Sequence, residues 1–171
     1  MTTLQAQQLK HAYGDMIKAN LNRLKGIARS YSHTVDGRED LLQEIFYQLW
    51  RGFASFKAQS QLNTWVYRVA LNTAISYVRS RETKPQIITG IDFELDLELE
   101  QTSHNGDFTD SADILEQFIL NLDKIDKAIM MLYLDDISHK QISEITGQSV
   151  NVISVRINRM KQKFKQQHMG D

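Results

Sequence analysis

Residues 86–120 contain nine Asp or Glu and no Lys or Arg, whereas the flanking segments 1–85 and 121–171 carry net charges of +6 and +2. A stretch this acidic repels itself and carries no basic residue to neutralise it, so it does not form the centre of a single core. It divides the chain into two basic modules. The one proline, Pro85, stands at the first boundary, and Gly90, Gly106 and the polar run 101–110 punctuate the acidic block. A length of 171 residues then leaves two small units, each able to bury a modest core and only marginally stable alone. The expected organisation is a module over 1–85, an acidic linker over 86–110 and a second module over 111–171.

Several function classes have no support. With no cysteine, there is no disulfide framework, thiolate metal site or Cys nucleophile. No apolar run reaches the roughly 18–20 residues of a membrane span, and residues 1–9 are polar, so no membrane insertion is expected and the expected compartment is the cytoplasm. His11, His33, His104, His139 and His168 show no ligand spacing, and no nucleophile elbow, P-loop or dinucleotide fingerprint appears. Neither catalysis, cofactor nor metal is expected. Asp92, Glu94, Asp96, Glu98 and Glu100 alternate with Phe93, Leu95, Leu97 and Leu99, a pattern shared by an edge strand and a hard-cation site. It lacks the turn glycine and fixed ligand positions of a calcium loop, and reads best as a solvated tether with apolar docking points.

Both modules read as all-α. In the first, Met16, Leu21, Leu24, Ala28 and Tyr31 recur at helical spacing, as do Leu41, Leu42, Ile45, Phe46, Leu49 and Trp50. Small and polar residues over 52–60 interrupt the pattern around Phe53 and Phe56. Trp65, Val69, Ile75 and Val78 then mark a third helix over about 62–80. In the second module a helix is expected over 123–134. Ser138 and Gln141 fit a capping box, Ser149 is another N-cap candidate, and Gly147 between them suits a tight turn. Helices over 138–146 and 149–166 joined at that turn make a helix-turn-helix.

On the last helix Ile153, Ile157, Met160 and Phe164 form an apolar stripe, beside a cationic line of Arg156, Arg159 and Lys163 and a line of Asn151, Val155, Asn158 and Gln162. This suits a helix in the DNA major groove, with cations on phosphates and amides or small aliphatics on base edges. An ordinary solvated basic helix has the same spacing. In the first module Trp65, Tyr67, Arg68, Asn72, Tyr77, Arg79 and Arg81 interleave aromatics with cations, as stacking on unpaired bases requires. Most aromatics on helices are core, and core packing is the better reading of Trp65 and Val69.

The segments Asp40-Leu41-Leu42-Gln43-Glu44-Ile45-Phe46, Leu49-Trp50 and Thr64-Trp65-Val66-Tyr67-Arg68-Val69-Ala70-Leu71-Asn72 resemble region two of bacterial sigma factors, and those of the short extracytoplasmic-function class in particular. Ile142-Ser143-Glu144-Ile145-Thr146-Gly147, followed by residues 152–159, is similar to that family's region four, the helix-turn-helix that reads the −35 element. The resemblance covers roughly 10–85 and 111–166. It implies two helical domains joined by a linker, core RNA polymerase and promoter DNA as partners, and an anti-sigma factor as a further candidate partner. It assigns polymerase docking to Asp40, Leu41, Gln43 and Glu44, and contacts with single-stranded −10 DNA to Phe56, Gln61, Thr64, Trp65, Arg68 and Asn72. Contacts with duplex −35 DNA fall to Asn151, Val155, Arg156, Asn158, Arg159 and Lys163. Asn151, Val152, Ser154 and Val155 depart from the commoner region-four pattern, so the −35 preference of typical members does not carry over. The rival reading is a helix-turn-helix regulator that binds duplex operators without polymerase.

Overall fold

In the computed structural model, which describes residues 3–56, 61–83 and 111–168, every regular element among the described residues is an α-helix. In order they are α1 (Thr3–Tyr31), α2 (Val35–Phe53), α3 (Leu62–Thr83), α4 (Ser111–Leu120), α5 (Lys124–Leu134), α6 (His139–Thr146) and α7 (Val150–His168). The expected linker over 86–110, with its alternating carboxylates, lies outside the described residues. Helix α1 starts well before its apolar stripe, at Thr3, because the intervening Leu, Gln, Ala and Lys are good helix formers that need no burial. Helix α4 falls within the block read from charge alone as acidic, and only Phe118 anchors it fully in the core.

Local chemistry sets the other ends. Thr34 caps α2, its hydroxyl accepting from the Gly37 N–H at 3.1 Å. Asp123 caps α5 by accepting from the N–H groups of Ile125 and Asp126, both at 2.9 Å. Burial pushes the Asp123 carboxyl upward, but these N–H groups and the Arg156 charge outweigh it and hold its pKa below the ordinary value. The capping box expected at Ser138 and Gln141 forms, and Gly147 closes α6 at φ 73°, a left-handed conformation that glycine adopts without the Cβ clash.

Helices α1, α2 and α3 pack as a three-helix group around Leu24, Ile27, Leu41, Ile45, Leu49 and Ala70. Helices α5, α6 and α7 pack around Ile129, Leu132, Ile142, Ile153 and Ile157, with α4 laid against α5 and α1. The two groups meet along a polar seam. The Tyr31 hydroxyl donates to the Lys124 carbonyl at 2.6 Å, and the Lys127 ammonium donates to the Ser30 carbonyl at 2.9 Å while lying 5.3 Å from the Tyr31 ring centre. Tyr67 donates to the Asp135 carboxylate at 2.5 Å, Lys124 pairs with Glu82, and α3 packs on α6. Burial raises the Tyr31 and Tyr67 phenols well above their ordinary range, helped at Tyr67 by the Asp135 bond and at Tyr31 by the Asp123 charge. Burial lowers the Lys127 ammonium.

Candidate nucleic-acid interface

The second helix of the α6–α7 pair presents two faces of opposite character. Ile153, Ile157 and Met160 are buried, as their spacing requires. Asn151, Val152, Val155, Asn158, Arg159, Gln162 and Lys163 are all exposed and share the opposite face. No carboxylate occurs anywhere on α7, so this face is uniformly neutral or cationic. The α6 end is tied to it through His139 Nδ1, 3.0 Å from the Ser154 hydroxyl, which fixes the angle between the two helices.

Arg156 departs from the cationic line expected of it. It sits at the edge of the buried stripe, and its guanidinium donates to Asp126 of α5 at 2.6 Å. Arg159 and Lys163 are left as the exposed cations of the outer face. The sequence carried no sign of this pairing, because Asp126 lies 30 residues away on another helix.

At the junction of α2 and α3 five aromatic rings gather. Tyr13 meets Trp50 and Phe53 edge-on at 5.0 and 5.7 Å, and Trp65 lies 5.2 Å from Phe56 and 6.4 Å from Phe53. Trp65 reaches this cluster because Gly52 has no side chain: a Cβ there would lie 2.8 Å from Trp65 Cζ2. Phe56 and Trp65 are half-buried and Trp50 is exposed, so the cluster offers ring surface to a flat ligand. Arg68, one turn along α3 from Trp65, leaves its Nε–H buried without an acceptor among the described residues.

Not every expected contact residue is on the surface. Thr64 is only 4% exposed, since it falls on the stripe of Tyr67, Leu71 and Ala74 that faces the core. Leu41 is 0% exposed, one of three stacked core residues with Ile45 and Leu49, and it holds α2 in place rather than meeting a partner. Gln61 is exposed, but its side-chain carbonyl accepts from Gln141 of α6 at 3.1 Å. Asn72 lines an open groove between α2 and α3 together with Asp40, Gln43, Glu44, Tyr47 and Ser76. The carboxylates and amide expected to face polymerase and an amide expected to face DNA therefore share one surface, which their separation in sequence had presented as two. Among the described residues no group of three or more His, Cys, Asp or Glu is placed to hold a metal ion, and no helix is long and apolar enough to cross a membrane.

This arrangement has close counterparts among known proteins. Residues 16–83, covering most of α1 and all of α2 and α3, match the family model for Sigma-70 region 2. The RNA polymerase sigma factor YlaC of Bacillus subtilis is 26% identical over 140 residues, covering 78% of this chain and 79% of the relative. The ECF RNA polymerase sigma factor SigW of Bacillus subtilis is 26% identical over 173 residues, covering 91% and 88%. In fold, the chain resembles the sigma factor RpoE solved with the anti-sigma factor NepR from Bartonella quintana. That match has a TM-score of 0.67 and 19% identity, and covers 91% of this chain and 95% of that one. CnrH, solved with the cytosolic domain of CnrY, gives a TM-score of 0.66 at 19% identity, covering 97% and 95%. Over residues 16–83 the chain thus matches Sigma-70 region 2, and over most of its length it is similar to RNA polymerase sigma factors of the ECF class.

Proposed function

We propose that this chain binds core RNA polymerase in the cytoplasm through the Asp40, Gln43 and Glu44 face of α2 and directs the enzyme to promoters through two DNA surfaces. The outer face of α7 reads the duplex −35 element, and Phe56, Trp65 and Arg68 receive unpaired bases of the −10 element. Modules over 1–85 and 111–171, joined by the acidic linker 86–110, carry these two tasks. The polymerase supplies the chemistry, and an anti-sigma factor is a further partner of the kind seen with the RpoE neighbour.

The observation that carries this reading is the half-buried aromatic cluster set beside Arg68, whose buried Nε–H has no acceptor among the described residues. Flipping a base from the stack costs a few kcal/mol, and stacking on a ring recovers about 1–3 kcal/mol per base. A cation one helical turn away then holds the strand. The test is co-purification with core polymerase followed by run-off transcription from enriched promoter fragments. Specific transcripts that require the full chain support the reading. Tight duplex binding by the chain alone, with no transcript from the reconstituted enzyme, replaces it with the polymerase-independent regulator.

A further inference from the structure

The outer face of α7 carries apolar groups in its first two turns, where a merely solvated helix has none to gain from. Val152 and Val155 lie one turn apart, 40% and 56% exposed, and neither joins the core. Helix stability does not account for them. A β-branched residue loses side-chain freedom in a helix, and an exposed one recovers nothing through burial. Val150, also exposed, begins the helix on a different side and is not part of this patch.

What surrounds the two valines limits what they meet. Asn151 and Asn158 flank Val155 with amides, and Arg159 and Lys163 supply exposed cations on the same face. No carboxylate occurs on the helix to oppose an anion. One or two side chains across, the patch is too small for a protein groove, and it gives way to Asn158, Arg159 and Gln162 over the next two turns, unlike the continuous apolar face of a membrane-surface helix. A partner that is anionic at its edges, presents hydrogen-bonding groups and carries isolated apolar points between them is the major groove of duplex DNA. Its only apolar base-edge group is the thymine 5-methyl.

We propose that Val152 and Val155 read thymine 5-methyl groups in the duplex element engaged by α7, making them specificity-determining residues. This rests on the assignment of α7 as the duplex reader and adds to it which base is selected and by which atoms. Thymine is then preferred over cytosine at those positions because only thymine presents a methyl to the valine side chains.

The test uses holoenzyme assembled from the full chain and core polymerase, with duplexes enriched from a randomised pool as probes. Each thymine in the enriched sequence is replaced in turn by deoxyuridine, which pairs identically and lacks only the methyl. At one or two positions deoxyuridine should weaken wild-type binding by roughly fourfold, the effect of burying one methyl-sized group. The Val152→Ala/Val155→Ala holoenzyme should bind thymine and deoxyuridine duplexes equally at those positions. Alanine is the better helix former and both sites are exposed, so the variant keeps its fold, which its thermal melt verifies. A wild type indifferent to deoxyuridine, or a variant that keeps the same penalty, overturns the proposal and leaves α7 as a duplex reader by other atoms. Weaker capture of core polymerase by the variant in the absence of DNA places the valines on a protein surface and overturns it too. If the holoenzyme enriches no sequence through α7, the assignment of α7 itself fails, and this inference with it.

Discussion

Arg156 and Arg159 are three positions apart on one helix, yet their surroundings assign them different work. Arg156 is paired with Asp126 at 2.6 Å, whereas Arg159 faces solvent beside Lys163. Replacing Arg159 or Lys163 by Ala should weaken binding to all duplexes alike and reduce the salt slope of binding by about one per lost phosphate contact. Arg156→Ala should instead destabilise the fold by about 1 kcal/mol through the lost charged hydrogen bond and leave the salt slope unchanged. A salt titration of DNA affinity with a denaturant melt separates the two outcomes. On α2, Asp40 makes only a long, exposed approach to Arg81 at 3.9 Å, a geometry that contributes little to stability. Charge reversal at Asp40 and Glu44 should therefore leave the melting temperature nearly unchanged while core polymerase is retained poorly in a pull-down. Equal retention would remove this face from the docking surface. Asp40 and Glu44 were legible in the sequence as polar positions on an amphipathic helix. Leu41 was misplaced because a motif match does not say which of its residues face inward, though the recurrence of Ile45 and Leu49 at four-residue steps did.

At the scale of the element, helix ends and close approaches dominate. The Ser138–Gln141 capping box satisfies free N–H groups at the start of α6, so Ser138→Ala should cost about 1 kcal/mol in a denaturant titration. A cost near zero would mean that α5 and α7 alone hold α6 in place. Gly52 is the glycine that positions the aromatic cluster, since a Cβ there meets the Trp65 ring at 2.8 Å. Gly52→Ala should displace that ring from Phe53 and Phe56, at a cost of about 1–3 kcal/mol for the overpacking. The expected readouts are a changed tryptophan emission and slower promoter opening with duplex binding intact. Both features are short-range, yet only the cap was readable. Cap chemistry acts between residues three apart, whereas the Gly52–Trp65 approach depends on how α2 and α3 cross. Helix α4 escaped notice for a related reason: ten residues with one fully buried side chain carry too little periodicity to stand out inside an acidic block.

For the whole molecule, the seam between the two helical groups decides stability at high pH. Tyr31 and Tyr67 have phenol pKa values raised above the ordinary 10.0. Below that value folded and unfolded chains hold the same phenol protons; above it the unfolded chain releases them first, so stability falls as pH rises through the interval. Lys127 acts in the opposite sense, because its lowered pKa makes the folded chain shed a proton before the unfolded one does. Burial also raises the Tyr13 and Tyr77 phenols, so with four raised phenols against one lowered ammonium the melting temperature should drop as pH climbs past about 10. Tyr67→Phe should lessen that drop while costing about 1 kcal/mol at neutral pH for the lost Asp135 bond. A pH series of thermal melts on both chains checks the sign; a wild-type melting temperature that rises above pH 10 would show that Lys127 outweighs the phenols.

The sequence by itself determined the all-α class, the helix-turn-helix with its caps and αL glycine, the buried and exposed stripes of α7, and the resemblance to sigma factors through its region-two and region-four motifs. All of these are written in spacings of a few residues, where the helical period and backbone capping act directly. Only the tertiary structure decided that Arg156 belongs to Asp126, that Thr64 and Leu41 are interior, that Gln61 is bonded to Gln141, and that Asn72 shares a groove with Asp40 and Glu44. The seam itself joins residues 68, 93 and 97 positions apart. Such pairs are set by how whole helices pack, and a side chain's neighbours across a packed interface leave no periodic trace in its own segment.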